Sequence, residues 1–318
     1  MDLRDELNLA FIYMGVLVGA GFASGREIIS FFTVYGGRGL MGIALACSLF
    51  FIIGYTVLRL SISCQSTSIK DVLLPYSGEK LMVLFEGITF CFLLGGYYIM
   101  LAGCCAVLWE CAGLPYLPTA AVLSLLCSTW LMRGSGGLAG FNAVLVPTMT
   151  MLTILICYLS LRGSSGIALA QFPARSSGNW FVSSILYVSF NTAFASVVIA
   201  ALGNYTPRVS AAFGAALIAS LGLFVLAAML WLTTSVEYPK LYAAQIPLLD
   251  LASPLGAGFY WGAVVVLLSA MLTTALSLGY AFAQGISRRV RIRYNYALVG
   301  LFIGWPFTAY GFSRMIET

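Results

Sequence analysis

Histidine is absent from the 318 residues, and charged side chains make up only 8% of them. Without His, the usual zinc sites and the Ser-His-Asp type of nucleophilic centre lose their commonest member. The eight cysteines, at 47, 64, 91, 104, 105, 111, 127 and 157, form no C-x-x-C pair. They therefore read as small apolar side chains rather than as metal ligands. P-loop and dinucleotide-binding glycine patterns are missing as well, so no enzyme chemistry is expected. The shortage of charge excludes most. A soluble domain carries about 25% charged and about 45–50% apolar residues. Here 61% are hydrophobic and the mean hydropathy is +0.97. A soluble fold of that composition has too little polar surface to cover itself. That rules out a cytosolic enzyme, a nucleic-acid binder and a disordered chain.

What the sequence does contain is long apolar runs, at about 8–32, 40–61, 81–111, 117–133, 138–161, 179–202, 208–233, 257–285 and 295–312. A helix needs about 20 apolar residues to span a bilayer. The runs are continuous rather than alternating, which excludes a β-barrel. The expected class is an all-α polytopic membrane protein of about nine spans. The longest central polar stretch, 162–179, divides five spans from four. This gives a first block over 1–162, a linker over 163–178 and a second block over 179–318. With the N-terminus inside, ten Lys and Arg fall on the inner side and five on the outer, Arg26 being left out as part of a span. That excess predicts an inner N-terminus and, with nine spans, an outer C-terminus. No cleavable signal peptide is expected at the acid-rich start. The basic run from Ser287 to Arg293 suits an inner loop beside anionic lipid. The segment from Glu237 to Pro254, with prolines at 239, 247 and 254, falls outside. It is either a hairpin packed into the mouth of the protein or a passive connector.

The first run carries Gly19, Gly21 and Gly25, followed at once by Arg26 and Glu27. Each glycine costs about 1 kcal/mol relative to alanine inside a helix. An arginine near the membrane centre costs about 2.5–3.5 kcal/mol on insertion scales. Either the helix is broken, with freed carbonyls suited to a cation such as Na⁺ and freed amides suited to a carboxylate, or it crosses a neighbour closely. The adjoining Arg26-Glu27 favours the broken helix. The sixth run clusters Ser189, Asn191, Thr192 and Ser196 at its middle, beside Phe190. Interrupted helices in corresponding places of two blocks point to a transporter of inverted repeats; hydrogen bonding between helices is the alternative. In the eighth run, Ser269, Thr273, Thr274 and Ser277 either help to hold a hard cation or bond their own backbone. Glu86 either snorkels toward Lys80 or relays protons. Tyr97 and Tyr98 either wall a pocket or pack as aromatics.

At these residues the chain resembles the YkvI-like membrane proteins, a family classed with amino acid permeases of the amino acid–polyamine–organocation superfamily, which has the LeuT fold. The matching stretches are Gly19 to Glu27, Met100 to Gly103, Phe141 to Pro147, Met271 to Ala275 and Tyr310 to Ser313. They run in order over nearly the whole chain. The resemblance implies a five-plus-five inverted repeat with helices one and six discontinuous. Helices one, two, six and seven would form a bundle that rocks against three, four, eight and nine. It implies a sodium site from the Gly19 and Phe22 carbonyls with the Thr273 and Thr274 hydroxyls. The Gly21 and Ala23 amides, beside Ser24, would face a substrate carboxylate. Ser189, Phe190 and Asn191 would supply the opposite wall, with Tyr97 nearby. Arg26, Glu27 and Glu86 are the candidates for gating or coupling. Against ten expected helices the sequence offers about nine, the shortfall falling after Tyr310 to Ser313, where an altered outer gate is implied.

The expectation is a secondary transporter of a small organic solute, with an amino acid foremost. It would work by alternating access coupled to Na⁺ or H⁺, in a bacterial cytoplasmic membrane. No cofactor is expected beyond Na⁺ as coupling ion, and no partner beyond solute and lipid; nucleic acid is not one. The competing readings are a membrane-embedded solute-binding or sensing protein without transport, and a passive channel.

Overall fold

Lipid offers no hydrogen bonds, so a chain this apolar must satisfy its backbone internally, and continuous apolar runs do so as helices. The computed structural model describes residues 3–19, 22, 24–66, 69–132, 138–163, 176–200, 202–203, 208–290 and 292–310. Helices α1 (Leu3–Val18) and α2 (Arg26–Phe31) lead into α3 (Arg38–Cys64). Helix α4 (Ile69–Ala112) is followed by α5 (Tyr116–Leu131) and α6 (Leu138–Arg162). The second block begins with α7 (Trp180–Ala200) and α8 (Ala211–Val236), then the short α9 (Tyr238–Leu241) and α10 (Pro247–Ala252). It continues through α11 (Ala257–Val290) and α12 (Tyr294–Ile303) to a 3₁₀ stretch, Trp305–Tyr310.

Glycine and proline place the breaks. Gly25, at φ 82°, sits in the left-handed region immediately before α2. Helix α4 kinks where Pro75 is followed by Gly78 at φ 69°, in the stretch between the apolar runs at 40–61 and 81–111, where loop-forming residues suggest a break between helices. Helix α12 stops after ten residues. Pro306 has no N–H for the Phe302 carbonyl, and the Tyr98 hydroxyl donates to the Leu301 carbonyl at 3.0 Å. One expected break does not occur. Helix α7 runs unbroken through Ser189 to Ser196. The Asn191 side-chain amide donates to the Tyr187 carbonyl one turn back at 3.0 Å, so a polar residue is accommodated without unwinding the helix.

Nine full spans are not seen among the described residues. Six helical stretches are long and apolar enough to cross a membrane: Arg38–Cys64, Ile69–Ala112, Leu145–Arg162, Trp180–Ala200, Ala211–Val236 and Ala257–Ser287. Glu6–Val18 and Tyr116–Leu131 are apolar but shorter. The ninth run becomes the ten-residue α12 and its 3₁₀ extension. Large apolar side chains point outward from six different helices: Ile52, Leu126, Met151, Leu186, Leu221 and Val265 are each more than half exposed. Hydrocarbon, rather than water, suits such a surface. The protein is an integral membrane protein. Hydroxyls on these helices turn inward to their own backbone, as Ser48 does to the Ala44 carbonyl and Thr56 to that of Ile52.

Packing sorts the helices into two groups. Helices α1, α3, α7 and α8 pack on one another, and α4, α5, α11 and α12 do likewise. These are the two groups that the resemblance implies. Helix α6 touches α1 and α8 on one side and α11 on the other. Small residues permit the close crossings. Ala211, Ala212, Ala215, Ala216 and Ala219 are all buried on α8. A Cβ at Gly54 of α3 would run into the ring of Tyr13, whose hydroxyl donates to the Phe50 carbonyl at 2.7 Å. The last turn of α7 is held from α3: the Ser61 and Ser66 hydroxyls reach the Ala200 carbonyl at 2.7 and 2.6 Å.

Candidate functional site

Where α1 gives way to α2, it borders a cleft between the two helix groups. Gly15, Val16 and Gly19 of the first segment line it together with Glu27 of α2. Helix α4 contributes Met100, and α7 contributes Phe190, Asn191, Phe194 and Val198. Thr274, Ser277 and Leu278 come from α11. The space amounts to about 540 Å³, counting the part open to solvent. Its walls are mostly apolar, with a few polar groups converging, the usual make-up of a small-molecule site. Gly96, one turn before Met100 on α4, keeps the cleft narrow without blocking it. A Cβ there would lie 2.7 Å from the Phe194 ring and 2.9 Å from Leu278.

A second, smaller cleft of about 280 Å³ adjoins the first. Gly15, Val18 and Gly19 face Leu145, Val146 and Met149 of α6 and Ala270, Thr273 and Thr274 of α11. The two clefts share Gly15, Gly19 and Thr274. The Thr273 and Thr274 hydroxyls both donate to the Ala270 carbonyl, at 3.0 and 2.8 Å. That leaves each hydroxyl oxygen with lone pairs to offer, which fits a hard cation such as Na⁺.

Glu27 is buried, only 6% exposed, on the wall of the first cleft. Its Oε2 makes no hydrogen bond of ordinary geometry among the described residues, and the Tyr187 hydroxyl lies beside its carboxylate. The adjacent Arg26 points elsewhere. Its Nη1 donates to the Tyr242 and Ala244 carbonyls, at 2.6 and 3.3 Å, in the segment between α9 and α10. Pro247, Leu248, Leu249, Leu251 and Ala252 of α10 are buried, so this segment is a packed hairpin rather than a passive connector. Asp250 projects from it, and burial pushes its carboxyl above the usual carboxylate range. Further contacts knit α2 and the chain after it to α7 and α8. Ser183 donates to the Phe31 carbonyl at 2.9 Å, Thr33 and Thr234 share a hydrogen bond of 2.8 Å, and the Trp231 indole donates to the Gly36 carbonyl at 3.2 Å.

The structure brings together Gly19, Glu27, Phe190, Asn191, Thr273 and Thr274 from the expected site. Gly21 and Ala23 lie outside the described residues. Ser24 is buried and accepts a hydrogen bond from the Arg26 N–H at 3.3 Å, away from the cleft lining. Phe22 is absent from both linings, and its carbonyl accepts the Gly25 N–H at 3.0 Å. Ser189 lies on the exposed side of α7, next to the stripe that faces the cleft. Tyr97 also points away. It packs against Gly279 of α11 and neighbours Ser124 and Ser128 of α5. Gly96 and Met100 share the cleft-facing stripe of α4, and a side chain one residue on is rotated by about 100°. Glu86 pairs with Arg289 of α11, not with Lys80. It lies 14 residues from Met100, about 21 Å along the helix at the 1.5 Å rise, so it takes no part in the cleft. Val198 and Leu278 were not singled out from the sequence, where nothing distinguishes them from their apolar surroundings.

Solved structures with the LeuT fold resemble this all-helical arrangement. The chain superposes on MhsT in complex with L-phenylalanine with a TM-score of 0.69 at 18% identity, covering 98% of this chain and 80% of that one. A Na⁺-coupled sialic acid symporter gives a TM-score of 0.71 at 12% identity, covering 96% and 72%. Mhp1, a nucleobase-cation-symport-1 family transporter, gives 0.62 at 13% identity, covering 96% and 70%. In sequence, the chain is 24% identical over 312 residues to the membrane protein YkvI of Bacillus subtilis, covering 98% of this chain and 90% of that protein. It is 26% identical over 322 residues to YyaD of the same organism, covering 98% and 91%. No family model matches.

Proposed function

We propose that this chain is a secondary transporter that moves a small organic solute, an amino acid foremost, by alternating access. Transport is coupled to Na⁺ or H⁺, across a bacterial cytoplasmic membrane with the N-terminus inside. One observation carries the reading: two clefts, one with mostly apolar walls and a few polar groups and one lined by threonine hydroxyls, share Gly15, Gly19 and Thr274 between the two helix groups. The solved neighbours add support, since one is a Na⁺-coupled symporter and another holds L-phenylalanine.

In this mechanism Na⁺ rests against the Gly19 carbonyl and the Thr273 and Thr274 oxygens. The Gly21 and Ala23 amides face the solute carboxylate, while Phe190 and Asn191 form the opposing wall. The group of α1, α3, α7 and α8 rocks against that of α4, α5, α11 and α12. Arg26, tied to the hairpin carbonyls, holds one entrance. Solute and ion shift the equilibrium only through their different affinities for the two states.

Two measurements test it. Purified protein is screened by thermal shift against amino acids in Na⁺ and in K⁺ at two pH values, and uptake is followed in proteoliposomes. Thr273→Val is expected to fold and to lose Na⁺ stimulation; unchanged sodium dependence removes the sodium assignment. Ligand stabilisation without uptake removes transport and leaves a binding protein.

A further inference from the structure

Within the first cleft, one group stands out chemically. Glu27 is an acid on an otherwise apolar and hydroxyl- or amide-bearing wall, and it is the sole ionisable side chain in the described lining. It is more than nine-tenths buried, and its Oε2 makes no hydrogen bond of ordinary geometry among the described residues, the nearby polar group being the Tyr187 hydroxyl. No ion pair reaches it either among the described residues. Arg26, next to it in sequence, turns to the opposite side and donates to the Tyr242 and Ala244 carbonyls. A buried carboxylate without a cation is unfavourable. In a binding cleft the missing partner is naturally supplied by what binds.

Resting on the reading of this cleft as a solute site, we infer that the solute carries an ammonium group that pairs with Glu27 and an apolar body that fills the remaining space. The body meets Val16, Met100, Phe190, Phe194 and Leu278. Asn191, Thr274 and Ser277 offer oxygens to the remaining ammonium protons. The chemical class is therefore a small apolar primary amine or zwitterion, as opposed to an apolar carboxylate or a neutral solute. An ammonium facing an aromatic wall also gains from the ring faces of Phe190 and Phe194.

Matched compounds separate the two ends of the solute. Full-length protein in detergent is titrated at pH 7 with leucine, with isoamylamine (the same body with ammonium only) and with isocaproate (the same body with carboxylate only). Phenethylamine and hydrocinnamate repeat the comparison with a larger body. The amines and leucine are expected to raise the melting temperature at concentrations where the carboxylates do not. Glu27→Gln is expected to weaken amine binding by about 30-fold or more, the effect of removing one member of a buried charge pair. Glu27→Asp, which keeps the charge, should retain part of the affinity. It also serves as the control for folding, alongside the unliganded melting temperature of each variant.

Carboxylates binding as tightly as amines overturn the inference, as does failure of both amines and leucine to bind. Amine binding that survives Glu27→Gln overturns it too; if the pH dependence of uptake is lost in that variant, Glu27 is instead a proton carrier. Amine binding that depends on Glu27 without any uptake in proteoliposomes leaves this inference standing and removes the transport reading.

Discussion

Replacing Arg26 by methionine should loosen the α9–α10 hairpin while leaving the rest of the fold intact. Methionine keeps much of the length and removes both hydrogen bonds from Nη1, to the Tyr242 carbonyl at 2.6 Å and to that of Ala244 at 3.3 Å. A hydrogen bond to a charged group contributes about 1.5–3 kcal/mol. The longer of these two is the weaker, so the pair together amounts to about 3 kcal/mol, roughly 150-fold in a local equilibrium. Global stability is a poor readout, because removing a buried guanidinium also relieves its desolvation, which offsets the loss. Hydrogen exchange resolves the two effects. The Leu241, Tyr242 and Ala244 amides bond within the hairpin, to the Glu237, Tyr238 and Leu241 carbonyls. Their protection should fall by about 100-fold in Arg26→Met, and less in Arg26→Lys, which keeps one donor group, while amides of α3 and α8 keep theirs. Equal hairpin protection in wild type and Arg26→Met would show that Arg26 does not hold this segment.

Two further outcomes follow from packing. Gly54→Ala sets a methyl group against the buried Tyr13 ring. Overpacking of about 1–3 kcal/mol exceeds the gain of about 1 kcal/mol in helix propensity, so the melting temperature should fall; an unchanged or higher value contradicts the crossing described for α1 and α3. The Glu86–Arg289 pair joins side chains that are 22% and 40% exposed. A double-mutant cycle with Gln at both positions should give a coupling of no more than about 1 kcal/mol, and a value above about 2 kcal/mol would assign the pair a larger role than its exposure supports.

Helix existence was legible in the sequence because apolar runs cannot be satisfied in lipid by any other element. At Pro75 and Gly78 the residues suggested a loop, but the helix begun at Ile69 continues past them with a kink, Gly78 adopting φ 69°. Juxtaposition of Gly19 with Thr273 and Thr274 came from resemblance, since nothing local links residues more than 250 positions apart. The misreadings share a cause. In α7, a cluster of polar side chains suggested a broken helix, yet Asn191 bonds the turn behind it and the helix continues. Tyr97 and Ser189 stand beside cleft-facing residues in sequence but about 100° round the helix from them, a rotation that an apolar sequence does not reveal because every face is apolar. Glu86 was read against its sequence neighbour Lys80, while its partner Arg289 comes from 203 residues away.

On the proposed function, the coupling of solute to ion would rest on the residues that the two clefts have in common. Gly15 and Gly19 belong to the first helix, which packs with α7 and α8, and Thr274 belongs to α11, which packs with α4 and α12. Any shift of one helix group against the other therefore alters both clefts together. A cation drawn to Thr273 and Thr274 would fix α11 against the first helix and so one wall of the proposed solute cleft. A solute bridging Phe190 and Asn191 on α7 to Ser277 on α11 would constrain the same pair of groups. Each ligand would then lower the ordering cost for the other, and linkage requires that such an effect be equal in both directions. On the proposed function, sodium should tighten solute binding by the same factor as solute tightens sodium binding. Glycine at 15 and 19 matters here because a Cβ at Gly15 would lie 2.7 Å from a methyl of Val146 on α6, filling the space through which the two clefts meet.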